Sequence, residues 1–328
     1  MKRFSVLILS AVLAACSREA ESPFTQLTLI PVCDKVLTRA TDPDEQRITD
    51  YNLFIFNAFG VLEEKLYVPA RQKSDTPAPY TTTLLKEVPY TILLAANLGY
   101  ELVFHTLEEA LDYRYYLAYP DEYSQGIPMA ACLEQVTVGA DNATLELPLQ
   151  RLMARLDLQL DRSALNQDVR LRVTEVKVGN CPSSVRLFAE SQVENSSQTF
   201  TTGFTKSGRE TDPLNQDLTV GLSRPLSLYL LENCQGDLLE EIESEREKIF
   251  REGRYSDVCS YVELKVEYRS DTRHTPPGAP LVYRFYPGES LCNFDIRRNT
   301  RYQLVLRPEG DGLQESSWRV DQSTLLTD

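Results

Sequence analysis

The chain has 328 residues, of which 42% are hydrophobic, 25% charged and 9% aromatic, the composition of a folded protein with one or two domains. Asp and Glu number 48 against 34 Lys and Arg, and the resulting net charge of −14 argues against nucleic acid as a partner. The chain has only two histidines, His105 and His274. Because histidine is the usual general base and the commonest metal ligand, the composition disfavours an enzyme.

The first residues have the pattern of a bacterial lipoprotein leader. After a short basic start, residues 4–13 form an apolar run that suits a signal peptide and is too short to cross a bilayer. The following Leu13-Ala14-Ala15-Cys16 matches a lipobox, in which the cysteine thiol receives a diacylglycerol. We therefore predict a signal peptide over 1–15, lipidation of Cys16, a polar tether over 16–23 and delivery to the outer membrane. The alternative is a plain signal peptide followed by an incidental cysteine.

Short stretches with apolar residues at alternate positions, or with a continuous apolar run, predict β-strands in the first half of the chain. These stretches are residues 24–32, 48–56, 88–96 and 143–149. Between them, the polar segment 38–45 and the proline-containing segment 70–79 read as loops. Thr106-Leu-Glu-Glu is a capping-box pattern and predicts a helix to about Leu117.

The second half continues the pattern with strands predicted at 153–160, 169–178, 225–231, 260–269, 281–286 and 301–307, and one surface helix at 238–251. Many short strands separated by turns favour antiparallel sandwiches over a parallel sheet. We predict an all-β protein with one or two short helices. It consists of two antiparallel β-sandwich domains in tandem, of transthyretin-like or Greek-key type, over 24–149 and 150–328.

The sequence contains few candidates for a catalytic, metal or disulfide site. Beyond Cys16 the chain has six cysteines without a Cys-x-x-Cys pair, and their wide spacing argues against a zinc site. Cys234 and Cys259 flank a single excursion of the chain and form the candidate disulfide, with free thiols as the alternative. His105 precedes the predicted helix and His274 lies in a loop, so neither defines a nucleophilic triad. We predict no catalytic residue, no metal and no cofactor.

Several motifs occur in the order found in one family. Besides the lipobox, they are Thr38-Arg39-Ala40-Thr41, residues 51–57 with Gly60, and residues 90–99, 149–157, 231–236, 286–288, 295–299 and 317–321. With these motifs the chain resembles the Bacteroides-type fimbrillins, the type V pilin family of lipoprotein precursors, over nearly its full length. The resemblance implies a structural and adhesive fimbrial subunit, which is not an enzyme and is found first at the outer membrane and then in a surface fimbrium.

In that family a trypsin-like protease cuts after an arginine that follows the first strand, and a strand from another subunit then fills the groove. The matching bond here lies between Arg39 and Ala40, with Arg47 as a second candidate for the cut. The implied partners are other fimbrial subunits, the membrane through the lipid on Cys16, and the protease.

Two features separate this chain from the family pattern. Cys33 lies inside the segment that would leave, and a disulfide from it would retain that segment, as suits an anchor subunit. The ten residues after Trp318 contain few apolar side chains for a donor strand, so we expect a subunit that accepts a strand, such as a tip or accessory subunit. Two alternatives stay open. One is a permanently lipidated surface protein, either a fimbrial anchor or a protein whose tyrosines bind glycan or protein ligands; the other is a hydrolase using one of the histidines.

Overall fold

The computed structural model describes residues 22–33, 43–70, 77–117, 123, 126–139, 143–189, 200–201, 203–215, 221–239, 248, 255–272, 281–313 and 318–325. The strands are β1 Phe24–Cys33, β2 Tyr51–Asn57, β3 Leu62–Val68, β4 Tyr80–Leu85, β5 Pro89–Ala96, β6 Arg114–Tyr116, β7 Met129–Thr137, β8 Ala143–Arg151, β9 Met153–Leu160, β10 Val169–Gly179, β11 Cys181–Pro182, β12 Ser184–Arg186, β13 Phe200–Thr201, β14 Thr205–Ser207, β15 Leu226–Leu231, β16 Tyr261–Ser270, β17 Leu281–Phe285, β18 Arg301–Pro308 and β19 Trp318–Leu325. The helices are α1 Leu107–Asp112 and α2 Tyr255–Val258, with 3₁₀ helices at Pro43–Gln46 and Gly208–Asn215.

The first half of the chain forms one seven-stranded sheet in the order β3-β2-β5-β7-β8-β1-β4. The sheet folds over at β7 and β8, which share only the short pairing of Met129 with Arg151 and Ala130 with Gln150. Its two parts therefore face each other as a sandwich. The core between them contains Leu53 and Leu94 from one part and Leu29 and Leu147 from the other.

The outer face of β2 and β5 is also buried, which explains the continuous apolar runs in these strands. Phe54 and Leu93 on this face pack in a second cluster with Phe104 and with Val185 and Phe188 from the second half of the chain. The pairing of β6 with β12 joins the two halves at the same place.

The second half contains two four-stranded sheets, β14-β10-β16-β17 and β15-β9-β18-β19. Alternate residues of their strands pack between them in the largest core, with Leu158 of β9 and Trp318 of β19 fully buried. The all-β prediction is therefore confirmed. The chain passes from the sheet of the first half to a sheet of the second half at Leu152, between β8 and β9. The division into domains at residue 149 stays a prediction.

The strands differ from the prediction in two respects. Among the described strands, each half contains one parallel pair, β1 with β8 and β9 with β18, where the sequence predicts antiparallel pairing. The sequence did not predict strands β3, β4, β6, β7, β11 to β14 and β19. β3 carries three charged residues in a row and β4 is rich in threonine, so neither shows a clear apolar alternation. Parallel partners come from distant parts of the chain, and local alternation carries no information about them.

The predicted capping box is present in α1. Thr106 accepts a hydrogen bond from the backbone N–H of Glu109 at 3.2 Å, and the Glu109 carboxylate accepts one from the backbone of His105 at 2.9 Å. The helix ends at Asp112 rather than near Leu117, because Tyr113 is extended and the next three residues pair with β12.

The predicted helix at 238–251 lies mostly outside the described residues. Leu238 and Leu239 are not helical, whereas Lys248 is helical. Lys248 is only 1% exposed, and its ammonium group donates to the carbonyl oxygens of Ser290 and Asn293. At Lys248, therefore, this segment is buried and does not form the surface predicted for it.

Candidate strand-acceptor site

The first strand occupies an interior position of the seven-stranded sheet. β1 runs parallel to β8, from the pair Leu27–Ala143 to Cys33–Leu149, and antiparallel to β4, from Phe24–Leu85 to Leu29–Tyr80. Residues 27–29 therefore have a ladder partner on both sides, residues 24–26 pair with β4 alone, and residues 30–33 pair with β8 alone. Without β1, the facing edges of β8 and β4 would lose their ladder partners.

Side chains of β1 alternate between the sandwich core and the outer surface. Thr25, Leu27, Leu29 and Pro31 are buried, and the two leucines are each 1% exposed. The strand contains no charged residue. It is therefore held by backbone bonds and apolar contacts of the kind that another alternating strand supplies.

Glu64 connects β3 and β4, the two outermost strands of the seven-stranded sheet. Its two carboxylate oxygens accept hydrogen bonds from the hydroxyl groups of Tyr80 and Thr82. Because Glu64 lies in β3 and the two hydroxyls lie in β4, these bonds join the two ends of the seven-stranded sheet. The hydrogen bond to Glu64, with burial and the nearby carboxylate charge, raises the pKa of Tyr80 to about 12.

The segment that follows β1 in the described chain is fixed to the second half of the protein through Glu45. Glu45 is 7% exposed, and its carboxylate accepts hydrogen bonds from Arg155 of β9 and Tyr229 of β15. Its backbone carbonyl accepts another from Arg151 at 3.1 Å. The Cys33 thiol donates to the same carbonyl at 3.9 Å, so residue 45 is held by two contacts to its carboxylate and two to its carbonyl oxygen.

The backbone around Arg47 is held in the same way by Asn97, which is 5% exposed. The Asn97 amide donates to the carbonyl oxygen of Arg47 at 2.8 Å and accepts from the backbone N–H of Thr49 at 2.8 Å. Ile48, between them, is buried in the core. A protease requires an accessible and locally extended segment, so the peptide bond after Arg47 is protected.

Four residues of the predicted site lie outside the described residues: Cys16, Arg39, Ala40 and His274. Lipidation of Cys16 and cleavage between Arg39 and Ala40 therefore stay predictions. Cys33, the last residue of β1, forms no disulfide; it accepts a hydrogen bond from Arg151 at 3.4 Å and lies 3.8 Å from the sulfur of Met129.

The two cysteines of the predicted disulfide, Cys234 and Cys259, are free thiols in the structure. Burial, with neighbouring carboxylates, raises the pKa of both to about 12. Since the thiolate is the reactive form, both groups are poor partners for thiol–disulfide exchange in this conformation. Their pairing in the exported protein stays a prediction.

His105, the candidate for a hydrolase, lies exposed in the turn before α1. The adjacent carboxylate, Glu109, binds the backbone N–H of His105 as part of the helix cap. In the described ranges, no group of three His, Cys, Asp or Glu side chains is arranged to hold a metal ion. No helix in those ranges is long and apolar enough to span a membrane.

Tyrosines from two segments meet at the surface of the first half. The hydroxyl groups of Tyr100 and Tyr113 lie 3.2 Å apart, and Tyr115 lies near enough to affect both electrostatically. Burial and the bond to Tyr113 raise the pKa of Tyr100, which is nevertheless 42% exposed. The Asn52 side chain fixes the backbone here, by donating to the carbonyl of Tyr100 at 3.0 Å and accepting from Leu102 at 2.8 Å. We call Tyr100, Tyr113 and Tyr115 the tyrosine cluster.

The last described strand belongs to the second sandwich. β19 pairs along its full length with β18, and Trp318 at its start is 0% exposed. The Trp318 ring packs against Tyr283 with 4.5 Å between ring centroids and donates its N–H to the carbonyl of Gly312 at 3.2 Å. β19 is therefore part of this chain's own core.

Three residues that support the site are not recognisable from the sequence: Glu45, Glu64 and Asn97. Glu45 and Glu64 stand among other charged residues and look like ordinary surface carboxylates. Asn97 precedes a leucine and glycine that signal a turn, and this local role concealed its two long-range backbone contacts. Only the three-dimensional pairing of distant strands gives these residues their partners.

Comparison with known proteins agrees with this architecture. A family model described as a domain of unknown function, DUF4906, matches residues 228–306. No curated protein sequence matches the chain. The fimbrilin FimA of Porphyromonas gingivalis W83 is similar in structure, with a TM-score of 0.60 and 14% identity over 92% of this chain and 96% of that one.

Two further solved structures are similar over 92% of this chain. The tip fimbrial protein Mfa3 of Porphyromonas gingivalis has a TM-score of 0.59 at 13% identity over 99% of its length. A candidate cell adhesion protein of Bacteroides eggerthii has a TM-score of 0.60 at 14% identity over 95% of its length. The chain is a tandem arrangement of β-sandwiches. More particularly, it has the fold of the Bacteroidales fimbrillins, as its motifs predicted.

Proposed function

We propose that the protein is a structural and adhesive subunit of a surface fimbria that accepts a strand from another subunit in place of β1. The observation that carries the proposal is the position of β1, which lies inside a sheet, is uncharged, and precedes the segment that contains Arg39. Similarity of fold to a fimbrilin and to a tip fimbrial protein supports the fimbrial role.

In the proposed pathway the chain is exported as a lipoprotein acylated at Cys16, and a trypsin-like protease cuts between Arg39 and Ala40. Protection of the bond after Arg47 supports Arg39 as the site. The cut frees the C-terminal end of β1, while Glu45 keeps the new N-terminal segment on the body of the protein. Removal of β1 then opens the groove between β8 and β4.

The groove dictates what can enter it. An incoming strand must place small or apolar residues at alternate positions, as Thr25, Leu27, Leu29 and Pro31 do now. β19 of another copy is a poor candidate because Trp318 anchors it in its own core. We therefore propose that this subunit accepts a strand without donating β19, the behaviour of a tip or accessory subunit.

Brief trypsin treatment of the folded precursor tests the proposal. We expect one early cut and a new N-terminus at Ala40, found by mass spectrometry, and the variant Arg39→Gln should resist that cut. The matched variant Arg47→Gln should be cut like the unmodified chain. An early cut at another site with the bond after Arg39 intact would contradict the proposal. Loss of lipid labelling in Cys16→Ser would test the anchor separately.

The tyrosine cluster favours a second candidate function, a permanently lipidated surface protein that binds neutral glycans. Tyr100 is exposed beside the half-buried Tyr113 and Tyr115, and Asn52 holds it in place. Aromatic rings with hydroxyl groups bind ligands at low entropic cost. This candidate predicts that mature surface protein keeps its acylated Cys16. It also predicts binding to an array of neutral oligosaccharides that Tyr100→Ala abolishes. Surface protein that begins at Ala40 would contradict it.

A further inference from the structure

The two edges of the groove differ in what would hold them once β1 has left. β8 keeps a backbone partner, because its last residues pair with β7. β4 pairs with β1 alone among the described strands, so it would lose its whole ladder. The incoming strand needs both edges at the correct spacing, and β4 is therefore the weaker edge.

The two ends of β4 are tied to the protein in different ways. At its C-terminal end, Leu85 donates its backbone N–H to the hydroxyl of Tyr90 at 3.1 Å, and Glu87 donates to the carbonyl of Val138 at 2.9 Å. At its N-terminal end, Tyr80 and Thr82 donate to the carboxylate of Glu64. Both tied ends are independent of β1.

The geometry of Glu64 suits this task. Glu64, Leu66 and Val68 alternate along β3, and the latter two pack against the sandwich core, so Glu64 points toward the interior. Thr82 and Leu84 likewise face the interior from β4 and are buried. A carboxylate that accepts two hydroxyl groups at this position makes charge-assisted bonds that are partly shielded from water.

We infer that Glu64 is a positioning residue that holds β4 in place while the groove is empty. The inference rests on the proposed function, and it assigns to Glu64 the preorganisation of the acceptor site. Without this contact β4 occupies its docked position for only part of the time. The affinity for an incoming strand then falls by that fraction, although no contact to the strand itself is lost.

A labelled peptide provides the test. The probe is a fluorescent peptide of residues 22–35 carrying Cys33→Ser, added to precursor that has been cut after Arg39 and freed of its own β1. We expect Glu64→Ala to weaken binding of the peptide about tenfold. Glu64→Gln, which keeps one acceptor oxygen and can donate to the other hydroxyl, should restore most of the affinity.

The control is Glu263→Ala, which removes a strand glutamate paired with Arg284 at 2.8 Å in the other half of the chain. It should leave peptide binding unchanged. In the uncut chain, hydrogen exchange of the β4 amides should be equal in Glu64→Ala and the unmodified protein, since β1 pairs with β4 there. In the cut and emptied protein, exchange should be faster in Glu64→Ala. A purely structural role would change both states alike.

Separate outcomes overturn the two proposals. Equal peptide affinity in Glu64→Ala and the unmodified protein would overturn the role of Glu64 and leave the proposed function standing. Failure of the cut, unmodified protein to bind the peptide would overturn the proposed function, and the role of Glu64 with it. If Glu64→Ala does not fold, Tyr80→Phe and Thr82→Val each remove one donor. Each should weaken binding about threefold, and no effect from either would contradict the inference.

Discussion

Strands β1 and β9 occupy equivalent places in the two halves of the molecule. Each is the first strand of its half, lies inside a sheet, and has one parallel and one antiparallel neighbour. Their outward faces differ. β9 carries Arg155, Asp157 and Gln159, which bind side chains of neighbouring strands, whereas β1 carries no charge.

The difference shows that one topology can hold a strand through specific side-chain bonds or through backbone and apolar contacts alone, and the proposed exchange of β1 requires the second arrangement. Asp157 of β9 is 1% exposed and accepts hydrogen bonds from Arg155 at 2.8 Å, from Ser227 of β15 at 2.7 Å and from Arg301 of β18 at 2.6 Å. These bonds require particular partners at fixed positions. The backbone and apolar contacts of β1 can be reproduced by any strand with the same alternation.

The largest effect is expected from Asp157→Ala, which removes the centre of the β9 network. The change leaves Arg155 and Arg301, both partly buried, without their shared acceptor, and should lower the free energy of unfolding by about 3 kcal/mol. Urea unfolding followed by fluorescence of Trp318, the single tryptophan, measures this in the half that contains β9. The control Asp271→Ala removes a carboxylate that is 74% exposed and should change stability by less than about 0.5 kcal/mol. Equal effects of the two variants would contradict the role of Asp157 in holding β9 in its sheet.

The next prediction compares core leucines of the two strands. Leu29→Ala in β1 and Leu158→Ala in β9 each remove a buried side chain and should each cost about 3 kcal/mol in the intact chain. Once the chain is cut after Arg39, only Leu29→Ala should shorten the time for which the cleaved segment stays bound. Size-exclusion chromatography with mass spectrometry measures this release. If the cleaved segment were released equally fast from both variants, its binding would not depend on the core contacts of β1 in particular, and the prediction would be wrong.

Local alternation in the sequence was enough to predict both β1 and β9 as strands, and the all-β class followed from many such segments. It was not enough to predict their neighbours, since β8 and β18 are more than a hundred residues distant in the chain from β1 and β9 respectively. The side chains that distinguish the two strands act through these distant neighbours. Glu64 and Asp157 therefore looked alike in the sequence, as carboxylates within charged or alternating segments. The cut at Arg39 stays a prediction from the motif.

A smaller effect, confined to the first half, is expected from Thr106→Ala. This change removes the cap of α1, whose Ala110 packs in the cluster that covers the outer face of β2 and β5. The expected cost is about 1 kcal/mol, and Thr106→Ser should restore the stability. Hydrogen exchange should become faster in α1 and stay unchanged in β9. Faster exchange in β9 as well would show that the two halves unfold as one unit.

The smallest effect appears only at alkaline pH and reports on β4 directly. The bond to Glu64 raises the pKa of Tyr80 to about 12 from an ordinary value of 10.0. A group with a raised pKa in the folded state stabilises the fold fully below its unfolded pKa, and this contribution is lost as the pH rises from 10 to 12. Absorbance at about 295 nm, as the difference between the unmodified protein and Tyr80→Phe, should show one phenol titrating near pH 12, and in Glu64→Ala its midpoint should fall toward 10. A midpoint that stays near 12 without Glu64 would mean that burial, and not the carboxylate, controls this tyrosine. That result would count against the support that the inference assigns to Glu64 at the N-terminal end of β4.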